Sequence, residues 1–323
     1  MELETTLYIA SQDRDGGILQ CRLTKDGQLR PVNTYPADRP AFLCLEGNNL
    51  YAVLREPFLM QSGVIRFHVE PDGSLSGREG PWPTHGAVSA HILAQNGRVY
   101  CANYCSGSTI LLPGRVLAHG GRGPNPARQD CSHPHCVTPA PEGDYLCVND
   151  LGTDQIYVCT PELEEVSRVS LPAGSGPRHL AFSEDGRFAY CSNELDSSVS
   201  VLAYTPGELR YLRTYSTLPA GFSGDNAASA IRLDPASRRL YVSNRGHNSV
   251  AQFAVDGEVL TLLRHIPSGG SSPRDINLAG GWLLCANENS DNVCVISLAD
   301  GRGTAPVCVL AVKRPWCVLP AGY

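Results

Sequence analysis

A short strand-like phrase recurs along the whole chain and limits what the chain can fold into. It reads Tyr8-Ile-Ala-Ser, Tyr51-Ala-Val-Leu, Tyr100-Cys-Ala-Asn, Cys147-Val-Asn-Asp, Tyr190-Cys-Ser-Asn, Tyr241-Val-Ser-Asn and Leu284-Cys-Ala-Asn, at intervals of 43 to 51 residues. A repeat of ~40–50 residues is the length of one propeller blade. The clearest copy contains four strand segments: Arg178 to Ser183, Phe188 to Ser192, Val199 to Tyr204 and Tyr211 to Ser216. The first two are separated by Glu184-Asp185-Gly186 and the last two by Pro206-Gly207-Glu208. Short β-branched and aromatic runs punctuated by Gly, Pro, Asp and Asn mark antiparallel strands, and no sustained helical periodicity competes with them. The expectation is an all-β, seven-bladed β-propeller with four antiparallel strands per blade.

The chain ends predict how the ring closes. The N-terminus enters at a second-strand phrase, Leu7 to Ala10, with no first strand before it. The C-terminus finishes on a lone strand, Trp316 to Leu319. Joining the two completes one blade and removes the exposed sheet edges. It also implies one domain over residues 1–323.

Composition narrows the function classes. A net charge of −6 argues against a nucleic-acid partner. No apolar run approaches the ~20 residues of a membrane helix. The acidic start Met1-Glu2-Leu3-Glu4 lacks the pattern of a secretory signal. The 13 cysteines are odd in number, and many fall inside expected strands (Cys101, Cys147, Cys191, Cys285, Cys294), as small buried hydrophobes do. A reduced, cytoplasmic protein, monomeric or weakly self-associating, is expected. Whether Cys131 and Cys136 pair is left open.

No Gly-x-Ser-x-Gly elbow, His-Glu-x-x-His helix or P-loop is present. Chemistry must therefore come from side chains that each blade projects toward the central channel. Two repeat positions qualify: the start of each first strand and the turn after each second strand. The first supplies His135, Arg178 and Arg274; the second supplies Asn103-Tyr104, Asp150, Asn193-Glu194, Asn244-Arg245 and Asn287-Glu288. Gathered at one opening they would suit a small anionic substrate, because guanidinium forks pair with carboxylate or phosphate and a His or Glu moves protons. Each residue also has a plainer reading: the arginines as exposed loop residues, Glu194 as a turn cap, His135 as a hydrogen-bonded structural histidine. The run Cys131-Ser-His133-Pro-His135-Cys136 resembles a zinc cluster, but four ligands within six residues through a proline would hardly converge on one ion. No metal is expected. The acidic residues Glu162, Glu164 and Glu165 read as a solvated outer turn. Two segments break the spacing, Pro113 to Asp130 and Thr217 to Ala228; long loops in compact repeats are often functional.

Six phrases carry a family resemblance: Ser132-His-Pro-His135, Asp150-Leu-Gly-Thr-Asp154, Gly176-Pro-Arg178-His179, Asn193-Glu194-Leu-Asp-Ser-Ser-Val199, Ser243-Asn-Arg245-Gly-His-Asn-Ser249 and Ser272-Pro-Arg274-Asp-Ile-Asn277. Together they resemble the seven-bladed propeller lactonases, which include 6-phosphogluconolactonases and carboxy-muconate lactonizing enzymes. The resemblance covers nearly the whole chain and is strongest between about residues 129 and 290. It implies His135, Arg178, Glu194 and Arg245 as catalytic residues, Arg274 with Asn193 and Asp150 as substrate contacts, and no cofactor. It departs from the family at Tyr51-Ala-Val-Leu-Arg55, which replaces the family's Tyr-Ala-Val-Asn-Glu and puts a base for an acid, and around Val88 to His91. The expected reaction is metal-independent hydrolysis of 6-phospho-D-glucono-1,5-lactone, a pentose phosphate step in carbohydrate metabolism. A muconate cyclase and a non-catalytic propeller binding an anionic sugar or a protein remain the alternatives.

Overall fold

The computed structural model describes residues 4–299 and 305–321. Twenty-eight strands form seven four-stranded antiparallel sheets, and a single 3₁₀ turn, Glu288–Ser290, is the one helical element among the described residues. The strand Pro315–Pro320 pairs with Thr5–Ser11 as the innermost strand of the first blade. The C-terminal strand thus closes the ring on the N-terminal blade, as the chain ends predicted.

Blades are numbered here from that closing blade. In the fifth, the expected strands are found at Pro177–Phe182, Phe188–Asn193, Ser198–Thr205 and Glu208–Ser216. Seven apolar clusters pack neighbouring blades together. The tyrosine of the recurring phrase belongs to this packing. Tyr8, Tyr100 and Tyr190 bury their rings and donate their hydroxyls to Gly73, Pro161 and Gly257 in the next blade, at 2.7, 2.8 and 2.8 Å. Burying the ring while satisfying the hydroxyl avoids the penalty of an unpaired polar group.

One expectation is corrected. Residues Pro113 to Asp130 are not wholly an insertion, because Arg115–Ala118 forms the outer strand of the third blade. The true loop follows it, and buried Gln129 anchors that loop by donating to Leu151 O at 2.9 Å and Asp154 Oδ1 at 2.8 Å. The acidic turn behaves as expected: Glu162 and Glu164 are exposed, and Glu162 pairs with Arg98 at 2.7 Å.

The inner strands also explain how side chains reach the channel. Pairing with the second strand skips one residue after the first position: His135 after Pro134, Arg178 after Pro177, Arg274 after Pro273 and Trp316 after Pro315. Each skip is a β-bulge, which twists the strand and re-aims the extra residue. The second and third blades bulge at Ala41 and Ala90.

Candidate active site

The bulges and the turns after the second strands converge on one end of the ring. There a cavity of about 370 Å³ is lined by Arg55, Val88, Ser89, Ala90, Tyr104, Arg128, His135, Glu194, Arg245, Arg274 and Trp316. Its size is within the range of small-molecule sites, ~300–1,000 Å³. A larger groove, about 740 Å³, lies between the fifth and sixth blades. Its charged residues pair locally, Arg187 with Asp185 at 2.6 Å and Arg238 with Asp256 at 3.0 Å. It gathers no buried titratable cluster, so the smaller cavity is the better candidate.

Glu194 is the centre of the site. Its Oε2 lies 3.1 Å from Arg178 Nε and 2.7 Å from Arg245 Nη2, and its Oε1 lies 2.5 Å from Arg128 Nη2. Burial pushes this carboxyl up, but Arg245 and Arg178 outweigh burial and hold it well below the usual carboxylate range. Glu194 is therefore a weak base and a firm anchor for three guanidiniums. Arg178 does not line the cavity. It is buried behind Glu194, and its Nη1 donates to His179 Nε2 at 3.1 Å. Burial, reinforced by Arg245, pulls its pKa down to about 9, so it is still charged at neutral pH.

Arg245 is placed differently. Its Nη2 is close to Glu194 but off the hydrogen-bonding direction, and its Nε and Nη2 are buried without an acceptor. A cavity-lining guanidinium with these donors not hydrogen-bonded suits an oxygen supplied by a ligand.

His135 is buried, and its Nδ1 has no hydrogen-bond partner. Burial, then Arg178, lowers its pKa well below 6.5. The imidazole is neutral at pH 7, and its Nδ1 is left without a partner inside the protein. Tyr104 meets His135 edge-on at 5.8 Å and stacks on His133 at 4.4 Å. Toward the other end of the channel, His179 packs against His135 and His91 at ring distances of 5.4 and 5.7 Å.

Two expected substrate contacts are corrected. Asp150 is buried away from the cavity. It accepts from Ser132 Oγ at 2.6 Å and from the His133 and Gly152 amides at 2.7 and 3.0 Å, which fixes the turn leading to His135. Asn193 donates to Ser198 Oγ and Ser200 Oγ at 2.9 and 2.8 Å, tying the second strand to the third. Asn103 and Asn244 reach Ser108 and Ser249 in the same way. The repeated Asn or Asp is thus a structural tie. The residue after it is the one that faces the opening, as Tyr104, Glu194 and Arg245 do.

Reading the sequence raised Tyr104 only beside Asn103 and did not single out Arg55, Arg128 or Trp316, all of which line the cavity. Tyr104 follows the second strand of its blade, Arg55 holds the equivalent repeat position inside the longer strand Asn49–Phe58, and Trp316 occupies the bulge position after a proline, so the repeat frame held the signal for all three. Arg128 lies in the loop before the fourth blade, outside the frame. The loop from Thr217 lines no part of the cavity, but its Asn226 accepts from the His247 amide at 3.0 Å and braces the turn after Arg245.

Of the zinc-like run, His135 turns to the cavity and Cys136 is buried in the strand. Asp130, Cys131 and His133 do bring one ligand atom each within 4.8 Å of one another, with His133 Nε2 already 3.1 Å from Asp130 Oδ1. Both Cys131 and Cys136 are free thiols.

The model of the family described as lactonase, 7-bladed beta-propeller, matches residues 6–320. The chain belongs to this lactonase family. An uncharacterized protein of Staphylococcus epidermidis is 31% identical over 340 residues, covering 94% of this chain and 98% of its own. Among solved structures, the periplasmic gluconolactonase of Pseudomonas aeruginosa is 28% identical with a TM-score of 0.90, covering 98% of this chain and 99% of its own. A candidate 6-phosphogluconolactonase of Bacteroides fragilis is 27% identical with a TM-score of 0.89, and 98% of each chain is covered. No helix of the described residues is long and apolar enough to cross a membrane.

Proposed function

We propose that this protein hydrolyses an aldonolactone, 6-phospho-D-glucono-1,5-lactone, in the cavity around Glu194. The observation that carries the reading is that one cavity is lined by His135, a neutral imidazole whose Nδ1 has no partner, and by Arg245, whose Nε and Nη2 make no hydrogen bond although Nη2 is ion-paired to Glu194. Family membership and the likeness to the Bacteroides fragilis protein support the lactone class and the phosphorylated sugar.

His135 takes a proton from a water molecule, whose oxygen adds to the lactone carbonyl carbon. The carbonyl π bond opens, and the negative oxygen is received by Arg245, whose fixed charge stabilises it. The tetrahedral intermediate collapses with cleavage of the carbon–ring-oxygen bond. The ring oxygen takes the proton back from His135, leaving an open-chain hydroxy acid. Glu194 holds Arg178, Arg245 and Arg128 in place and exchanges no proton, because its carboxyl is held too acidic to accept one near neutral pH.

The likeness to the Pseudomonas aeruginosa gluconolactonase makes the unphosphorylated lactone the second substrate to test. The test is hydrolysis of both lactones, freshly generated, against their spontaneous opening. Turnover by the wild-type protein that disappears in His135→Asn supports the reading. Equal turnover in the variant removes His135 from the mechanism.

A further inference from the structure

The cavity wall carries far more positive charge than lactone chemistry needs. Four arginines, Arg55, Arg128, Arg245 and Arg274, face one carboxylate, Glu194, in a chain whose net charge is −6. Glu194 is already engaged by Arg178, Arg245 and Arg128. Arg274 has Glu288 at 3.3 Å, but Glu288 also serves Arg314 at 3.2 Å, so its compensation is shared. Arg55 has neither a carboxylate nor a hydrogen-bond acceptor for its guanidinium among the described residues.

Arg55 and Arg274 are neighbours through one ring. The Arg274 Cζ lies 3.6 Å and the Arg55 Cζ 5.1 Å from the centroid of Trp316, which is nearly fully buried. A cation on an indole face is held by the ring's quadrupole and loses little further freedom when it binds. The two guanidiniums therefore stand preorganised around a rigid support, and planar forks of this kind match the oxygens of a phosphate.

Position in the ring gives the pair its role. Arg274, Trp316 and Arg55 come from the seventh, first and second blades, whereas His135, Glu194 and Arg245 come from the fourth, fifth and sixth. The bulge position of the third blade carries only Ala90, leaving space in the cavity wall that a longer side chain would fill. An elongated substrate can thus lie across the opening with its carbonyl at His135 and Arg245 and its other end at Arg55.

We infer that Arg55, Arg274 and Trp316 form an anion subsite that takes the phosphate monoester of the substrate, with Arg55 as its specificity-determining residue. This rests on the lactone-hydrolase reading for its place in catalysis, but its binding chemistry can be measured separately. The first measurement is calorimetric binding of 6-phosphogluconate, gluconate and inorganic phosphate to the full-length wild-type protein and to Arg55→Met, which keeps an unbranched apolar stem against Trp316. The wild-type protein should bind 6-phosphogluconate at least about tenfold tighter than gluconate, and Arg55→Met should remove most of that difference, since a hydrogen bond to a charged group is worth that factor or more. The second measurement is the ratio of kcat/KM for the phosphorylated over the unphosphorylated lactone, which should fall by about tenfold or more in the variant. Equal wild-type binding of 6-phosphogluconate and gluconate would overturn the subsite, and does not depend on how the variant folds. So would an unchanged kcat/KM ratio in folded Arg55→Met. If neither lactone is hydrolysed while phosphate-selective binding is present and sensitive to Arg55, the subsite stands and the hydrolase reading falls.

Discussion

Replacing Glu194 with Gln should destabilise the protein substantially, although it exchanges a single heavy atom. The carboxylate is the shared counter-charge of Arg178, Arg245 and Arg128, whose side chains are 4%, 15% and 42% exposed. Arg128 is part-exposed, so its pair with Glu194 is screened on one side and contributes less than the other two. The other two are buried, and leaving a buried charge without its partner costs about 3–5 kcal/mol. The amide oxygen of Gln still accepts from Arg178 Nε, so the expected loss is near the lower end, about 3 kcal/mol, or a fall in Tm of roughly 4 °C for a chain of this size. Urea denaturation is the suitable assay, because guanidinium salts would screen the interaction. Added phosphate should restore part of the loss by replacing the missing anion. The sign with pH also follows. The folded carboxyl is held below its unfolded value of about 4.3, so its contribution is complete above that pH and is lost as pH falls through the depressed folded value. The variant should lack that acid-dependent component. A Glu194→Gln protein as stable as wild type at pH 7 would refute the view of Glu194 as the anchor of the arginine cluster.

Four further outcomes are expected. His91, His135 and His179 are buried and held neutral, with His91 pushed down to about 3 by burial and by Arg232 and Arg178. Below their unfolded pKa of about 6.5 the unfolded chain binds protons that the folded chain refuses, so stability should drop by about 1 kcal/mol per imidazole between pH 6.5 and 5.5; a flat stability profile over that range would contradict their neutrality. The acid limb of kcat/KM, followed by titrating the acid released, should lie well below pH 6.5, and a limb centred near 6.5 would mean that His135 titrates as an ordinary histidine. Arg128→Ala should lower kcat/KM about tenfold yet change stability by less than about 1 kcal/mol, because Arg128 is itself part-exposed and Glu194 keeps Arg178 and Arg245; an unaffected kcat/KM would remove the loop from the site. Asn193→Ala should cost about 1–3 kcal/mol of stability by leaving Ser198 and Ser200 without their donor, while folded variant keeps its turnover per molecule; loss of turnover in fully folded variant would return Asn193 to the site.

Much of the ring was legible because the repeat is itself a packing rule. The tyrosine of the phrase buries its ring between blades, and it recurs in five of the seven copies, with Cys147 and Leu284 filling the same place in the other two. The frame also picked the positions that face the channel, and His135, Glu194, Arg245 and Arg274 meet in one cavity with Arg178 directly behind them. It failed on Asn193 and Asp150 because a polar residue at a strand end serves equally as a ligand or as a tie for the next strand, and only the positions of Ser132, Ser198 and Ser200 decide between them. Arg55 and Trp316 sat in the right frame, but an arginine without an evident partner and a tryptophan on the closing strand do not disclose that they touch. Arg128 could not be placed from spacing, since the hydrogen bonds of Gln129 that fix its loop come from residues more than twenty positions away.

The most direct test is hydrolysis of freshly generated 6-phosphoglucono-1,5-lactone by the purified protein, measured against spontaneous ring opening, with Glu194→Ala and His135→Asn alongside. The account predicts turnover far above background that both substitutions abolish. No acceleration of either the phosphorylated or the unphosphorylated lactone by well-folded wild-type protein would contradict it.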